Sequence, residues 1–139
     1  MADVASLEGT VAQSAVATLA ALYQRHATHS GLPALALLKF DASGCDPLDE
    51  GRPLNFIEQL NQSFTYLATI EGVRWLLQHH PEHAPYHLNL GTAPGSDIVS
   101  EDGEVVAETF AATRPQSNRK LEKDIAKVGA VAAQYRYVF

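Results

Sequence analysis

The segment from Asp97 to Phe110 (DIVSEDGEVVAETF) constrains this chain more than any other. Asp102-Gly103 stands between two β-prone runs, Ile98-Val99-Ser100 and Val105-Val106-Ala107. That pattern predicts a β-hairpin with the Asp-Gly pair in a tight type I′ turn. Counting outward, Ser100 opposes Val105, Val99 opposes Val106, Ile98 opposes Ala107 and Asp97 opposes Glu108. Any even-length loop centred on the same pair gives this register. Like charges directly opposite one another destabilise a strand pair, so Asp97 and Glu108 call for compensation, and a divalent cation is the simplest form of it. Val106 and Phe110 share the side of Glu108, while Val105, Ala107 and Thr109 take the other side. Both faces are thus largely apolar, as in a central strand covered by helices. A glutamate buried there needs a partner, either a metal or an ion pair with Lys120 or Arg114.

The rest of the chain reads around this hairpin. Residues 4–28 carry Val4, Leu7, Val11, Ala15, Leu19 and Leu22 at helical spacing, and Ser30-Gly31-Leu32-Pro33 ends that helix. Residues 34–40 are a short apolar run that reads as a strand or buried turn, and 41–53 as a polar loop. A second helix is expected from Leu54 or Asn55 to His80, with Asn55 and Glu58 forming a capping box and Gly72 allowing a bend. A strand at 86–90, the loop Gly91–Gly95 and the hairpin follow. After a turn at 113–116, a helix from Ser117 or Asn118 to Ala133 has Leu121, Ile125, Val128 and Ala132 on one face, and 134–139 form a last strand. The order over 54–139 is α-β-β-β-α-β, and the helix before the last strand permits a parallel crossover. The expected organisation is one α/β (α+β) domain, 1–139, with 1–53 as an N-terminal helix and loop extension of a 54–139 core.

Length and composition set limits. A chain of 139 residues, 46% hydrophobic, can bury a real core. Its longest apolar runs are too short to span a bilayer, it begins without a secretory leader pattern, and its single cysteine, Cys45, excludes an internal disulfide. These features point to a cytoplasmic protein without membrane association. The formal net charge of −6 argues against non-specific coating of nucleic acid. A local basic groove remains compatible with it, because Arg114, Arg119, Lys120, Lys123 and Lys127 follow directly on the acidic hairpin.

The element order, with Asp97 at the start of the second strand and Glu108 on the third, resembles the PD-(D/E)XK nuclease superfamily, the restriction-endonuclease-like fold. The resemblance covers about residues 54–139. It implies a Mg²⁺-dependent nuclease acting on DNA, with Asp97 and Glu108 as metal ligands and the Thr109 carbonyl as a third. Glu58, or Gln62, would be the acidic or amide residue of the first core helix. The pattern departs in two places: Ser96 stands for the proline and Phe110 for the lysine. In some members the lysine comes from the following helix, which makes Lys120, and then Lys123, the candidates here. The chemistry suits the residues: Mg²⁺ takes oxygen ligands and activates water, and an ammonium stabilises charge on the phosphate.

Phe110 and the acidic balance also support a different class of function, a catalytically inactive module of the same fold that serves in protein interaction or assembly as a homodimer. A third reading places a small ligand at the Gly91–Gly95 loop, which lacks a P-loop pattern. The start of the 117–133 helix, capped by Ser117 or Asn118 and basic in its first turn, could seat an anion. His79, His80, His83 and His87 invite a zinc reading, but no second Cys or His cluster completes it, so they are expected to be helix-end and loop residues. Trp75 reads as core, and Tyr135, Tyr137 and Phe139 as core or dimer surface.

Overall fold

The computed structural model describes residues 3–91, 94–112, 114 and 117–139, without the side chains of His26 and Ser117. Part of the Gly91–Gly95 loop, most of the 113–116 turn and the Ser117 cap therefore lie outside the described residues. The protein is of mixed α and β structure and divides into two compact units, residues 1–64 and 65–139.

In the first unit, helix α1 runs Val4–His26, with the Asp3 carboxylate accepting the Ala5 N–H at its start. Its buried line is Val11, Thr18 and Leu22, whereas Leu19 faces outward. Residues 32–40 are not a strand: they form helix α2, Leu32–Phe40. Pro33 sits in its first turn, where a missing N–H costs nothing, and the Ala/Leu run favours helix. The expected polar loop holds an antiparallel pair, β1 (Gly44–Asp46) and β2 (Asp49–Leu54). Its turn is built by side chains: the Asp46 carboxylate accepts the Leu48 N–H and pairs with Arg52 at 3.0 Å. Helix α3 (Phe56–His79) opens on the expected capping box. Asn55 Oδ1 accepts the Glu58 N–H at 2.9 Å, and Glu58 accepts the Asn55 N–H at 3.1 Å.

In the second unit, a 3₁₀ turn at Pro81–His83 leads to β3 (Tyr86–Leu88), β4 (Ile98–Ser100) and β5 (Val105–Glu108). A 3₁₀ turn at Ser117–Arg119, helix α4 (Lys120–Gly129) and β6 (Tyr135–Val138) follow. The sheet order is β3-β4-β5-β6, antiparallel up to β5 and parallel between β5 and β6. The elements thus come in the expected order, with the parallel crossover through α4. Ile98 pairs with Ala107 and Val99 with Val106, as the hairpin register requires.

The turn itself differs from expectation. Gly103 N–H donates to the Ser100 carbonyl, so the turn closes around Glu101-Asp102, and Gly103, at φ +75°, follows it. A type I′ turn needs positive φ at both central residues, and among the described residues only Asn118, Arg119 and certain glycines have it. The register survives because the loop 101–104 is still even and still centred on Asp102-Gly103.

Every residue of β5 is buried. Thr109, directly after β5, meets the 65–79 part of α3, where the Thr69 and Thr109 hydroxyls lie 2.7 Å apart. Gly72 lets the Phe139 ring and Ile98 come within 2.8 and 3.2 Å of where a Cβ would stand on α3. Trp75 packs edge-on to Tyr137 and tilted against Phe139. Helix α4 packs on β5 and β6. Its phase is not the expected one: Asp124 and Val128 are buried, Ile125 is 54% exposed, and the helix ends before Ala132. Nor is Asn118 the cap: Asn118 and Arg119 are both left-handed, and Arg119 occupies the cap position without a side-chain bond.

Candidate functional site

Asp97 immediately precedes β4, and register places it beside Glu108 on β5. The two carboxylates are held by different partners. Asp97 Oδ2 accepts the Thr109 N–H at 2.7 Å and the Thr109 hydroxyl at 3.1 Å. That hydroxyl in turn meets Thr69 on α3. Glu108 instead points beneath α4, where Lys127 Nζ donates to its Oε2 at 2.7 Å. Its carboxylate is 2% exposed, and Oε1 is buried without a hydrogen-bond partner. The expectation that Lys120 or Arg114 would neutralise Glu108 is therefore corrected: Lys127, two turns beyond Lys120 on α4, does so.

Lys120 has another partner. Its Nζ donates to Asp124 Oδ1 at 2.5 Å, four residues along α4. Asp124 is buried, and its Oδ2 also lacks a partner. Residues 120, 124 and 127 lie on one helix face, so α4 carries a base–acid–base stripe beside the buried Val128 of the expected apolar face. Lys127 and Asp124 could have been found in the sequence by continuing the i, i+4, i+7 count from Lys120. An assumed apolar face at Leu121 and Ile125 hid them.

Asp97 and both candidate lysines line one cavity of about 320 Å³, together with Thr65, Thr109, Phe110 and Asn118. Glu108 is not among its lining residues. Phe110, half-buried, stands in the cavity wall where the resemblance would have a lysine. Opposite charges thus share a concave, polar space: one hydrogen-bonded carboxylate and two ammonium groups. The larger cavity, about 510 Å³ in the first unit, is lined by Thr10, Ser14, Thr18, Cys45 and Glu50 among others. Its described lining has one carboxylate and no base, so it offers less chemistry despite its size.

Glu58, expected near the metal, has its carboxylate engaged in the capping box of the first unit. At the start of α4, Arg119 bonds Glu122, so one of the two first-turn bases is already answered by an acid on its own helix.

The donor set fits a hard divalent cation in kind. Asp97, Glu108 and the Thr109 carbonyl are all oxygen ligands, as Mg²⁺ prefers. A buried carboxylate oxygen without a donor carries an uncompensated desolvation cost, and Glu108 Oε1 is such an atom. Among the described residues no helix is long and apolar enough to cross a membrane. Comparison of the chain with protein-family models, with curated proteins and with solved structures finds no match.

Proposed function

We propose that the second unit is a restriction-endonuclease-like domain that acts on DNA phosphodiesters with Mg²⁺. The observation that carries this reading is the meeting of Asp97, Lys120 and Lys123 in one cavity, with the unpartnered Oε1 of Glu108 at the facing strand position. Asp97 and Glu108 would hold the metal, with the Thr109 carbonyl as a third oxygen. Bound there, Mg²⁺ supplies an activated water and a positive charge at the phosphate. Thr109 fixes Asp97 through two donors, so that carboxylate is oriented before any ligand arrives. Lys127 holds the other carboxylate oxygen of Glu108 by a hydrogen bond. Lys120, in place of the lysine that Phe110 displaces, and Lys123 would offset the charge of the phosphate. The test is cleavage of plasmid and single-stranded DNA with and without Mg²⁺. Asp97→Ala should abolish cleavage, and Lys120→Ala should reduce it by at least about tenfold. Lack of cleavage, combined with lack of Mg²⁺ binding that depends on Asp97, refutes the reading.

Specific observations favour the second reading, an inactive interaction module that forms a homodimer. Glu108 and Lys120 are both already ion-paired, Phe110 occupies the cavity wall, and the first unit exposes Tyr23, Leu32, Leu35 and Phe40. Apolar exposure of that kind marks interaction surfaces. Sedimentation of the wild type and of Phe40→Glu separates the two: a dimer that dissociates on substitution, in a protein without cleavage activity, supports the module.

A further inference from the structure

We propose that His80, Glu82 and His83 form a zinc-class metal site at the turn between α3 and β3. It is distinct from the Asp97 cavity and independent of any nuclease activity. These three side chains each bring one ligand atom to a common point, all within 4.8 Å of one another. Glu82 Oε1 lies 3.5 Å from His80 Nδ1 and 3.7 Å from His83 Nε2. A tetrahedral zinc with bonds of about 2.0–2.1 Å separates its ligands by about 3.4 Å, so the two spacings to Glu82 need to close by only a few tenths of an ångström, and the two imidazole nitrogens, within 4.8 Å of each other, would draw together around the ion.

The outer atoms carry the stronger argument. A metal-binding histidine uses its second nitrogen to donate to a carboxylate, carbonyl or similar group, which fixes the tautomer and the ring orientation. Both histidines meet this requirement with the nitrogen that does not face Glu82. His83 Nδ1 is 2.6 Å from Asp102 Oδ2, and His80 Nε2 is 2.5 Å from the Tyr137 hydroxyl. Asp102 is itself held by the Ser100 hydroxyl and the Glu104 N–H. The His80 carbonyl accepts the Tyr86 hydroxyl at 2.7 Å. The His80 ring is half-buried against Tyr135, with centroids 4.4 Å apart. Groups from the β4–β5 turn and β6 therefore meet the two imidazoles at either end of the Pro81–His83 turn, while Tyr86 of β3 holds the His80 backbone.

The local sequence, His80-Pro81-Glu82-His83, makes this possible. Pro81 fits the first position of a 3₁₀ turn, and the His83 N–H closes it on the His80 carbonyl. In this proposal the completing ligand is a glutamate within the same turn rather than the second Cys or His cluster that the sequence lacks. Two imidazoles and one carboxylate suit Zn²⁺ and neighbouring first-row ions over Mg²⁺ or Ca²⁺. Three protein ligands leave a fourth position for water or an anionic group of a ligand.

The test is isothermal titration of Zn²⁺ into chelator-treated full-length protein, with Co²⁺ absorption as a report on geometry. One Zn²⁺ per chain is expected, with tetrahedral Co²⁺ bands. Glu82→Gln, an exposed position, should weaken binding at least tenfold without loss of fold. Asp102→Asn should weaken it about 10–100-fold through His83. Mg²⁺ should not compete, and Asp97→Ala should leave Zn²⁺ binding unchanged, so failure of this site and failure of the nuclease reading are separately visible. Absence of stoichiometric Zn²⁺ binding by the folded protein, or binding indifferent to both Glu82→Gln and Asp102→Asn, overturns the proposal.

Discussion

Replacing Lys127 by methionine should destabilise the second unit by about 3 kcal/mol in the absence of divalent cations. The carboxylate of Glu108 is 2% exposed and the lysine side chain 46% exposed, with a contact of 2.7 Å between them. At an effective dielectric constant of 20 that contact is worth about 6 kcal/mol of attraction, most of it offset by lost solvation. Breaking a buried pair from one side costs about 3–5 kcal/mol, because the remaining charge is left buried. The half-exposed lysine lets water reach the space left behind, which places the cost at the lower end. Removing both charges with Glu108→Gln and Lys127→Met should return stability to within about 1 kcal/mol of the starting protein, since a buried ion pair adds little over a neutral isostere. Urea unfolding at pH 7 followed by Trp75, the single tryptophan and a residue of the same unit, measures both. If Lys127→Met costs less than about 1 kcal/mol, or if the double substitution is simply additive, Glu108 is not the buried anion described above. Under the nuclease reading, Mg²⁺ should restore part of the loss in Lys127→Met and none of it in the double variant.

Two further outcomes follow from the packing of the same unit. Gly72→Ala should cost about 1–3 kcal/mol despite the better helix propensity of alanine, because its Cβ would lie 2.8 Å from the Phe139 ring and 3.2 Å from buried Ile98. Phe139→Leu in the same background should recover stability in thermal melts, and a Gly72→Ala protein that melts higher than the original refutes the account. Burial pushes the Tyr86 phenol up to about 12, so its neutral form is favoured in the folded state. The associated stability is complete below the ordinary tyrosine value near pH 10 and is lost as pH rises from about 10 to about 12, by at most about 2.7 kcal/mol. Tyr86→Phe should flatten that alkaline loss while costing about 1 kcal/mol at pH 7 for the bond to His80, and an unchanged alkaline slope in denaturant melts counts against it.

The hairpin was legible because its register depends only on the parity of a loop. The turn type could change from Asp102-Gly103 to Glu101-Asp102 without moving Ile98 from Ala107. The phase of α4 was not legible, because Asp124 takes a core position that apolar periodicity assigns elsewhere, and its ion pair with Lys120 is invisible to hydropathy. The β1–β2 pair escaped notice since Asp49–Leu54 has neither alternation nor β-branched residues, and its strands are fixed by carboxylate turns at Asp46 and Asp49. Helix α2 escaped because a short apolar run carries no period that separates strand from helix. At the site, residue types were readable and partners were not. Asp97 and Glu108 stood out as a conflict of like charges, but only the fold shows that Thr109 holds one and Lys127 the other.

That division bears on how the two candidate centres of the second unit can be told apart. Both are anchored on the β4–β5 hairpin, at opposite ends. Asp97 and Glu108 lie at its open end, and Asp102, which orients His83, lies in its turn. Asp97 and Asp102 are five positions apart, with the three residues of β4 between them. The two ligand sets differ in softness, all-oxygen against imidazole-rich. Zn²⁺ at the turn would clamp the Pro81–His83 segment to the hairpin and raise stability in proportion to its own concentration over its dissociation constant, reaching about 2.7 kcal/mol at a hundredfold excess. Mg²⁺ at the open end would act chiefly through Glu108, whose existing partner Lys127 already supplies most of the compensation. The same hairpin thus predicts a protein whose melting temperature responds strongly to Zn²⁺ and weakly to Mg²⁺, while any effect of Mg²⁺ on DNA cleavage is independent of the histidines.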